Sequence, residues 1–348
     1  LARHRLLEDA EIKARYARRL PYRQWVAENH VTVVFPQVDA DSQKALDASA
    51  LENARRDFGW DSGDADAIVA HMAEHGSERV GAMGNGEALA ALSSRRHSLF
   101  DYFQELFAQV TNPPIDSLRE ETVTDTAVYV GADGNLLEDR PENCRVLEIR
   151  NPILTSVDLM KIRNLDRPGL KVETVSLLYY KNTSLENAVE KLFVACDRAY
   201  KNGASIIILS DRGVDENHVA IPSLLAVSAM EQYLIRTRKR TAVSIILESA
   251  EPRDVHHFAL LLGYGARAVN PYLAHECIEE YTENGTLNKD PHVAIDAYNN
   301  AILHGIVKIA AKMGVSTLQS YQSAQIFEAV GICREAIDKY FTNTISPV

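Results

Sequence analysis

Three short apolar runs end in residues able to do chemistry. Asp211 and Arg212 follow Ser205–Leu209, Glu248 follows Ala242–Leu247, and Asn270 follows Ala266–Val269. Runs apolar on both faces are read as strands of a parallel sheet, and ligands of such sheets gather at the C-terminal strand ends. Two carboxylates, a guanidinium and an amide converging there could bind or protonate a small polar ligand. The bland reading is that Ser, Asp and Asn at strand-to-helix turns cap the next helix, and it is preferred here.

Other candidates are weaker. His71 and His75 share a helix face at i, i+4, as zinc ligands often do, but the glutamate of an H-E-x-x-H motif is missing. His256 and His257 are adjacent, so a helix points them apart. Cys144, Cys196, Cys277 and Cys333 are widely spaced without a C-x-x-C pair, which writes neither a zinc site nor an iron–sulfur cluster locally. All four are expected to be free, buried thiols. The glycines of Gly81-Ala82-Met83-Gly84-Asn85-Gly86 lack dinucleotide spacing and a preceding strand, and are read as a turn. No nucleophile elbow or P-loop occurs.

The elements that must position these groups fall into two rhythms. Toward the N-terminus, Glu8–Leu20 reads as an amphipathic helix stopped by Pro21. Asp41–Phe58 reads as a second helix. A third follows the turn at Asp61-Ser62-Gly63-Asp64 and carries Ile68, Val69 and Met72. Phe100, Phe103, Phe107 and Val110 form a stripe at helical spacing before Pro113-Pro114. From Glu173 onward strands and helices alternate: a strand over Glu173–Tyr180, a helix over Ser184–Lys201 ended by Gly203, the run to Leu209, a helix opened by Pro222, the run to Leu247, a helix over Pro252–Leu262, and the run to Val269. This alternation predicts an α/β fold in which parallel βα units form a doubly wound sheet or a full or partial β/α barrel, with a helical N-terminal extension.

Composition narrows the function classes. The 348 residues are 46% apolar and 24% charged, as in ordinary globular proteins, and carry a formal net charge of −11. That charge disfavours nucleic acid and anionic membranes as partners. The cations Arg236, Arg238, Lys239 and Arg240 are read as complementing a helix C-terminus. No apolar run is long enough to span a membrane and no secretory signal is written, so a reducing cytoplasm is expected. Leu1 is not a start methionine, and both ends look like cuts in a longer chain.

Longer motifs carry a resemblance. The run from Ser98-Leu99-Phe100-Asp101-Tyr102-Phe103 to Pro113-Pro114-Ile115-Asp116, the run Val255-His256-His257-Phe258 through Gly263-Tyr264-Gly265 to Asn270-Pro271-Tyr272-Leu273, and the run Lys312-Met313-Gly314 through Ser320-Tyr321 to Phe327-Glu328-Ala329 together resemble the central domain of the glutamate synthase large subunit. Glu11-Ile12-Lys13, Pro21-Tyr22 and Trp25 resemble the connector after that enzyme's amidotransferase domain. Two departures stand out: Gln322-Ser323 where many relatives have Arg-Gly, and Met230-Glu231-Gln232-Tyr233 in place of a His-rich run.

The resemblance implies a rudimentary, cofactor-free relative of a β/α barrel. Residues 1–30 are then a connector helix, 31–315 the central domain, and 316–348 a helical connection toward an FMN-binding synthase domain. It implies that the parent enzyme uses FMN and an iron–sulfur cluster and makes glutamate from glutamine and 2-oxoglutarate. The neighbouring amidotransferase and FMN-binding domains are then its partners, with a small electron-donating subunit or ferredoxin supplying electrons. No catalytic, cofactor or metal residue is carried onto this chain. A non-catalytic scaffold coupling two active sites is the reading it favours, against a free-standing enzyme built on Asp211, Arg212, Glu248 and Asn270.

Overall fold

The computed structural model describes residues 6–32, 46–61, 63–80, 89–106 and 112–347. At its centre lie four parallel strands: β1 (Val172–Ser176), β2 (Ile206–Ser210), β3 (Ser244–Glu248) and β4 (Ala266–Asn270). They pair in the order β4-β3-β2-β1, so each strand is added beside the last with no reversal. A doubly wound sheet reverses at a switch point. With right-handed crossovers, an order that never reverses keeps the crossover helices on one face, as in part of a β/α barrel. A further segment continues the row, because Ile153 bridges Val269 in parallel and Leu154 N–H donates to the Val269 carbonyl at 2.8 Å.

The crossover helices follow from local sequence. Helix α1 (Leu185–Lys201) starts where the Ser184 side chain accepts from Asn187 N–H, and it buries Val189, Leu192, Phe193 and Cys196 along one stripe. Its end is set by Gly203 at φ +91°, a conformation that favours glycine. Helix α2 (Ser223–Arg236) begins directly after Pro222. Helix α3 (Val255–Gly263) is capped by Asp254, which accepts from His257 N–H, and nearly every residue in it is buried. A helix buried all round needs cover on its second side, and α5 (Pro291–Lys312) supplies it after α4 (Tyr272–Glu283). Gly305 of α5 lets the two helices meet, since a Cβ there would lie 2.5 Å from Val255 Cγ2.

A three-stranded sheet of Val31–Thr32, Val146–Ile149 and Val128–Gly131 packs beside this layer. Ser244 Oγ donates to the Gly131 carbonyl at 2.8 Å and ties the two sheets together. One hydrophobic core runs from Leu51 to Phe341.

Several expectations need correction. The stripe at Phe100 and Phe103 is not helical. A 3-10 turn over Leu99–Tyr102 leads into a strand, Phe103–Glu105, which pairs antiparallel with Phe327–Ala329. Both phenylalanines are buried, Phe100 stacked on His257 at 4.2 Å and Phe103 edge-on to Tyr264 at 5.5 Å. Their burial comes from partners more than 150 residues away, which i, i+3 spacing cannot reveal. Phe107 and Val110 lie outside the described residues, as do the glycine stretch at 81–86 and the start of the Asp41–Phe58 helix.

The described part of that last helix is Ala48–Asp57, capped by Asp47. The Glu173–Tyr180 strand is two strands. Buried Leu177 breaks it, and Leu178–Tyr180 leaves the parallel sheet to pair with His218–Ala220. The first helix spans Asp9–Ala17, and a second one, Tyr22–Asn29, starts after Pro21. Residues Asp64–Ala70 form a π-helical turn before the α-helical His71–His75.

Candidate functional site at the strand ends

The strand ends do bring charge together, chiefly around one buried carboxylate. Glu248, at the end of β3, is 1% exposed. It accepts from Arg212 Nε at 2.8 Å, from Arg163 Nη2 at 2.7 Å and from Ser210 Oγ at 2.6 Å. Arg212 also pairs through Nη1 with Glu276 at 3.0 Å and lies 3.9 Å over the Tyr272 ring. Burial opposes the guanidinium charge, yet Glu248 and Glu276 outweigh it and hold the Arg212 pKa above its ordinary value. Every cation of this cluster faces a carboxylate, and Arg163 Nε is left buried without a partner.

Asp211 is fully enclosed. Ser249 Oγ donates to its Oδ2 at 2.5 Å and Ala250 N–H to its Oδ1 at 3.1 Å. Burial pushes its pKa up to about 7, with the Ser249 hydroxyl pulling the other way. Its contacts are those of a carboxyl organising the Ser249–Ala250 turn, close to the expected capping role. Asn270 turns away from the other three. It donates through Nδ2 to the Leu154 carbonyl at 2.9 Å, and its Oδ1 is buried without a partner. Of the four candidates, Arg212 and Glu248 touch, Asp211 lies sealed beside them, and Asn270 serves the segment that extends the sheet.

Arg163 and Glu276 were missed by sequence reasoning. Arg163 ends the helix Ser156–Arg163 and Glu276 sits in α4; neither lies at the end of an apolar run, which was the only signal available. Their spacing from Glu248 and Arg212 is written in the fold alone.

The remaining candidates resolve plainly. His71 and His75 rings meet edge-on at 4.4 Å, and no group of three or more metal-ligating side chains occurs among the described residues. His256 and His257 diverge: His256 Nε2 sits 3.3 Å from the Phe100 carbonyl, whereas His257 is buried and its pKa falls to about 4 through that burial. All four cysteines are free, but only Cys196 and Cys277 are buried; Cys144 is half-buried and Cys333 exposed. That corrects the expectation of four buried thiols, because residues 144 and 333 adjoin short turns at the surface. In the basic cluster, Lys239 pairs with Asp197 at 2.6 Å and Arg240 with Glu231, while Arg236 donates to the Lys339 carbonyl.

The two departures noted in the sequence are in contact. Ser323 Oγ donates to Glu231 Oε1 at 2.8 Å, and Gln322 Oε1 accepts from buried Arg267 Nη1 at 2.7 Å. Ser323 has φ +63°, the left-handed region where glycine is strain-free. The serine hydrogen bond offsets part of that cost, so the two changes form one polar cluster.

Fold and site together define a parallel α/β domain wound in one direction, with its own ion pairs packed at the strand ends. Comparison with known proteins gives the family. The family model described as "Glutamate synthase central domain" matches residues 53–333. The chain is 42% identical over 342 residues to the glutamate synthase [NADPH] large chain of Bacillus subtilis, covering 98% of this chain and 22% of that one. It is 38% identical over 366 residues to ferredoxin-dependent glutamate synthase 2 of Synechocystis, covering all of this chain and 23% of the relative. It is 37% identical to the glutamate synthase [NADH] of Schizosaccharomyces pombe, over 99% of this chain and 17% of that one. The chain belongs to the glutamate synthase central domain family. It spans less than a quarter of the length of these relatives. Among the described residues, no helix is long and apolar enough to cross a membrane.

Proposed function

We propose that this chain is a non-catalytic scaffold within a glutamate synthase large chain, holding a glutamine-hydrolysing domain and an FMN-bearing domain in register for ammonia transfer. The observation that carries the reading is the filled strand ends. In a parallel α/β fold a ligand needs open space and unspent polar groups there. Here Arg212 is committed to Glu248, Glu276 and the Tyr272 face, Arg163 to Glu248 through Nη2, and Asp211 to Ser249 and Ala250, which leaves Arg163 Nε and Asn270 Oδ1 as single buried atoms without a partner. A flavin's ring and phosphate do not fit a strand end whose cations are already paired, so no chemical step is routed through FMN in this segment.

A rigid spacer has a physical use. Two reactions joined by a labile intermediate gain when their separation is fixed and the intermediate is kept from bulk water. Residues 1–30 would lead in from the amidotransferase domain, and residues 316–348 would lead out toward the FMN domain. The latter are packed firmly, with Tyr321, Phe327 and Phe341 in the common core. The relatives' names mention NADPH, NADH and ferredoxin, which supports a parent enzyme supplied with electrons by a nicotinamide cofactor or by ferredoxin.

The reading is tested in the intact large chain. Loosening this segment with Glu248→Ala should leave glutamine hydrolysis and the flavin half-reaction running, while free ammonia accumulates relative to 2-oxoglutarate consumed. Loss of either half-reaction at its own site, with the remaining flux still fully coupled, would count against a scaffold role.

A further inference from the structure

A pocket of about 260 Å³ lies on the far side of β4, between the Arg150–Thr155 segment, the helix Ser156–Arg163 and α5. It is separate from the ion network at Glu248. Three carboxylates line it (Glu148, Asp158 and Asp296), together with Arg150, Asn299 and Asn300. A volume below the usual range for drug-sized ligands suits a small metabolite.

Asn299 supplies the decisive detail. It is 4% exposed, and its Oδ1 lies 2.9 Å from Nε2 of His275, which is buried too. His275 Nδ1 is buried without a partner. Burial lowers the His275 pKa to about 4, so the ring is neutral and carries one proton. A bare ring nitrogen is cheaper to bury than an orphaned N–H, which puts that proton on Nε2, donating to Asn299. With Oδ1 held there, the Nδ2 donor of Asn299 takes no protein acceptor among the described residues, and Asn299 is one of the residues that line the pocket.

The pocket therefore presents two unlike needs. Asp158, whose Oδ2 also accepts from Thr155 N–H at 3.2 Å, and Asp296 both line the pocket, and the Asp158 charge adds to burial in raising the Asp296 pKa. A cation between them relieves this. The pocket also offers two donors for a carboxylate or carbonyl oxygen: the Asn299 amide, and the Arg150 guanidinium, which lines it while 83% exposed in its side chain. Arg150 reaches no nearer than 3.9 Å to Glu148, so that ion pair is loose.

We propose that this pocket binds a small free α-amino acid, its ammonium group between Asp158 and Asp296 and its carboxylate on Asn299 Nδ2 and Arg150. The ligand is a charged, compact molecule with donors at one end and acceptors at the other. Its site is distinct from any site the scaffold reading requires, so either proposal can fail alone.

The test is equilibrium dialysis of the 348-residue chain against radiolabelled glycine, with methylammonium and acetate as competitors. One glycine should be retained per chain, saturably, and neither half-molecule should displace it at equal concentration. Asp296→Asn, on an exposed position of α5, should weaken retention about tenfold or more, equivalent to roughly 1.4 kcal/mol, while leaving the far-UV spectrum and melting curve unchanged. Three results overturn the proposal: no saturable retention up to about 10 mM, equal retention by the Asp296→Asn chain, or displacement by methylammonium as effective as by glycine itself, which would mean that the carboxylate is not read.

Discussion

Glu248→Ala separates a structural network from a catalytic one. The wild-type carboxylate is 1% exposed and accepts from two guanidinium groups and one hydroxyl. Removing one partner of a buried pair typically costs about 3–5 kcal/mol, because the remaining charge stays buried. Two features place this site at the low end of that range. Arg212 keeps Glu276, and Arg163 is 31% exposed in its side chain and can turn to water. We therefore expect a loss of about 3 kcal/mol. With an unfolding entropy of about 2.1 cal/mol/K per residue, a 348-residue chain changes by roughly 0.7 kcal/mol per degree, so the melting temperature should fall by about 4 °C. Glu248→Gln keeps the shape and the Ser210 contact and should lose about half as much. The assay is thermal unfolding followed by circular dichroism at neutral pH, checked by urea titration. A change smaller than about 1 °C for the alanine variant would refute the network reading, as would retained stability with a lost activity of the isolated chain.

Further outcomes follow from other contacts. Asp211 has a folded pKa near 7, above its unfolded value, so between about pH 4 and 7 the native state holds the extra proton. Its contribution is full below the unfolded pKa and is lost as pH rises through 7; the stability of Asp211→Asn relative to wild type should therefore improve from about pH 4 to about pH 7 and level off above it in denaturant titrations, and a pH-independent difference would exclude the shift. His257 works in the opposite sense: its folded pKa near 4 lies below the unfolded value, so its contribution is present above pH 6.5 and lost toward pH 4, and His257→Phe should flatten that acid limb. Ser323→Gly relieves a left-handed φ but gives up the bond to Glu231, for a net change within about 0.5 kcal/mol, whereas Ser323→Ala keeps the strain, loses the bond and should cost about 1–2 kcal/mol. Gly305→Ala should destabilise by about 1–3 kcal/mol through the clash with Val255, and Val255→Ala in the same chain should recover most of it; additive losses would show that the helices do not meet there.

Three of the four parallel strands were legible because strands buried on both faces read as continuous apolar runs, as Ile206–Leu209 and Ile245–Leu247 do, whereas Val172–Ser176 is partly exposed and runs in sequence into the separate strand Leu178–Tyr180. The helices between them were legible from stripes such as Val189, Leu192, Phe193 and Cys196 and from terminators such as Gly203. What stayed hidden depends on distant partners. Phe103–Glu105 is a strand only because Phe327–Ala329 lies beside it, and its three residues are too short to show a period. The small sheet of Val31–Thr32, Val128–Gly131 and Val146–Ile149 escaped for the same reason. At the site, Arg212 and Glu248 were found from their position after apolar runs, but Arg163 and Glu276 sit inside helices, where charge is ordinary. The pocket at Asn299 rests on a buried His–Asn contact, and no local pattern announces one.

The central claim is that the strand ends of this segment are structurally committed and bind no flavin. Titrating the purified chain with FMN, and following quenching of flavin fluorescence together with retention on gel filtration, tests it most directly. The account predicts unquenched fluorescence and FMN eluting apart from the protein at every ratio. Stoichiometric, saturable uptake of FMN by this chain would contradict it.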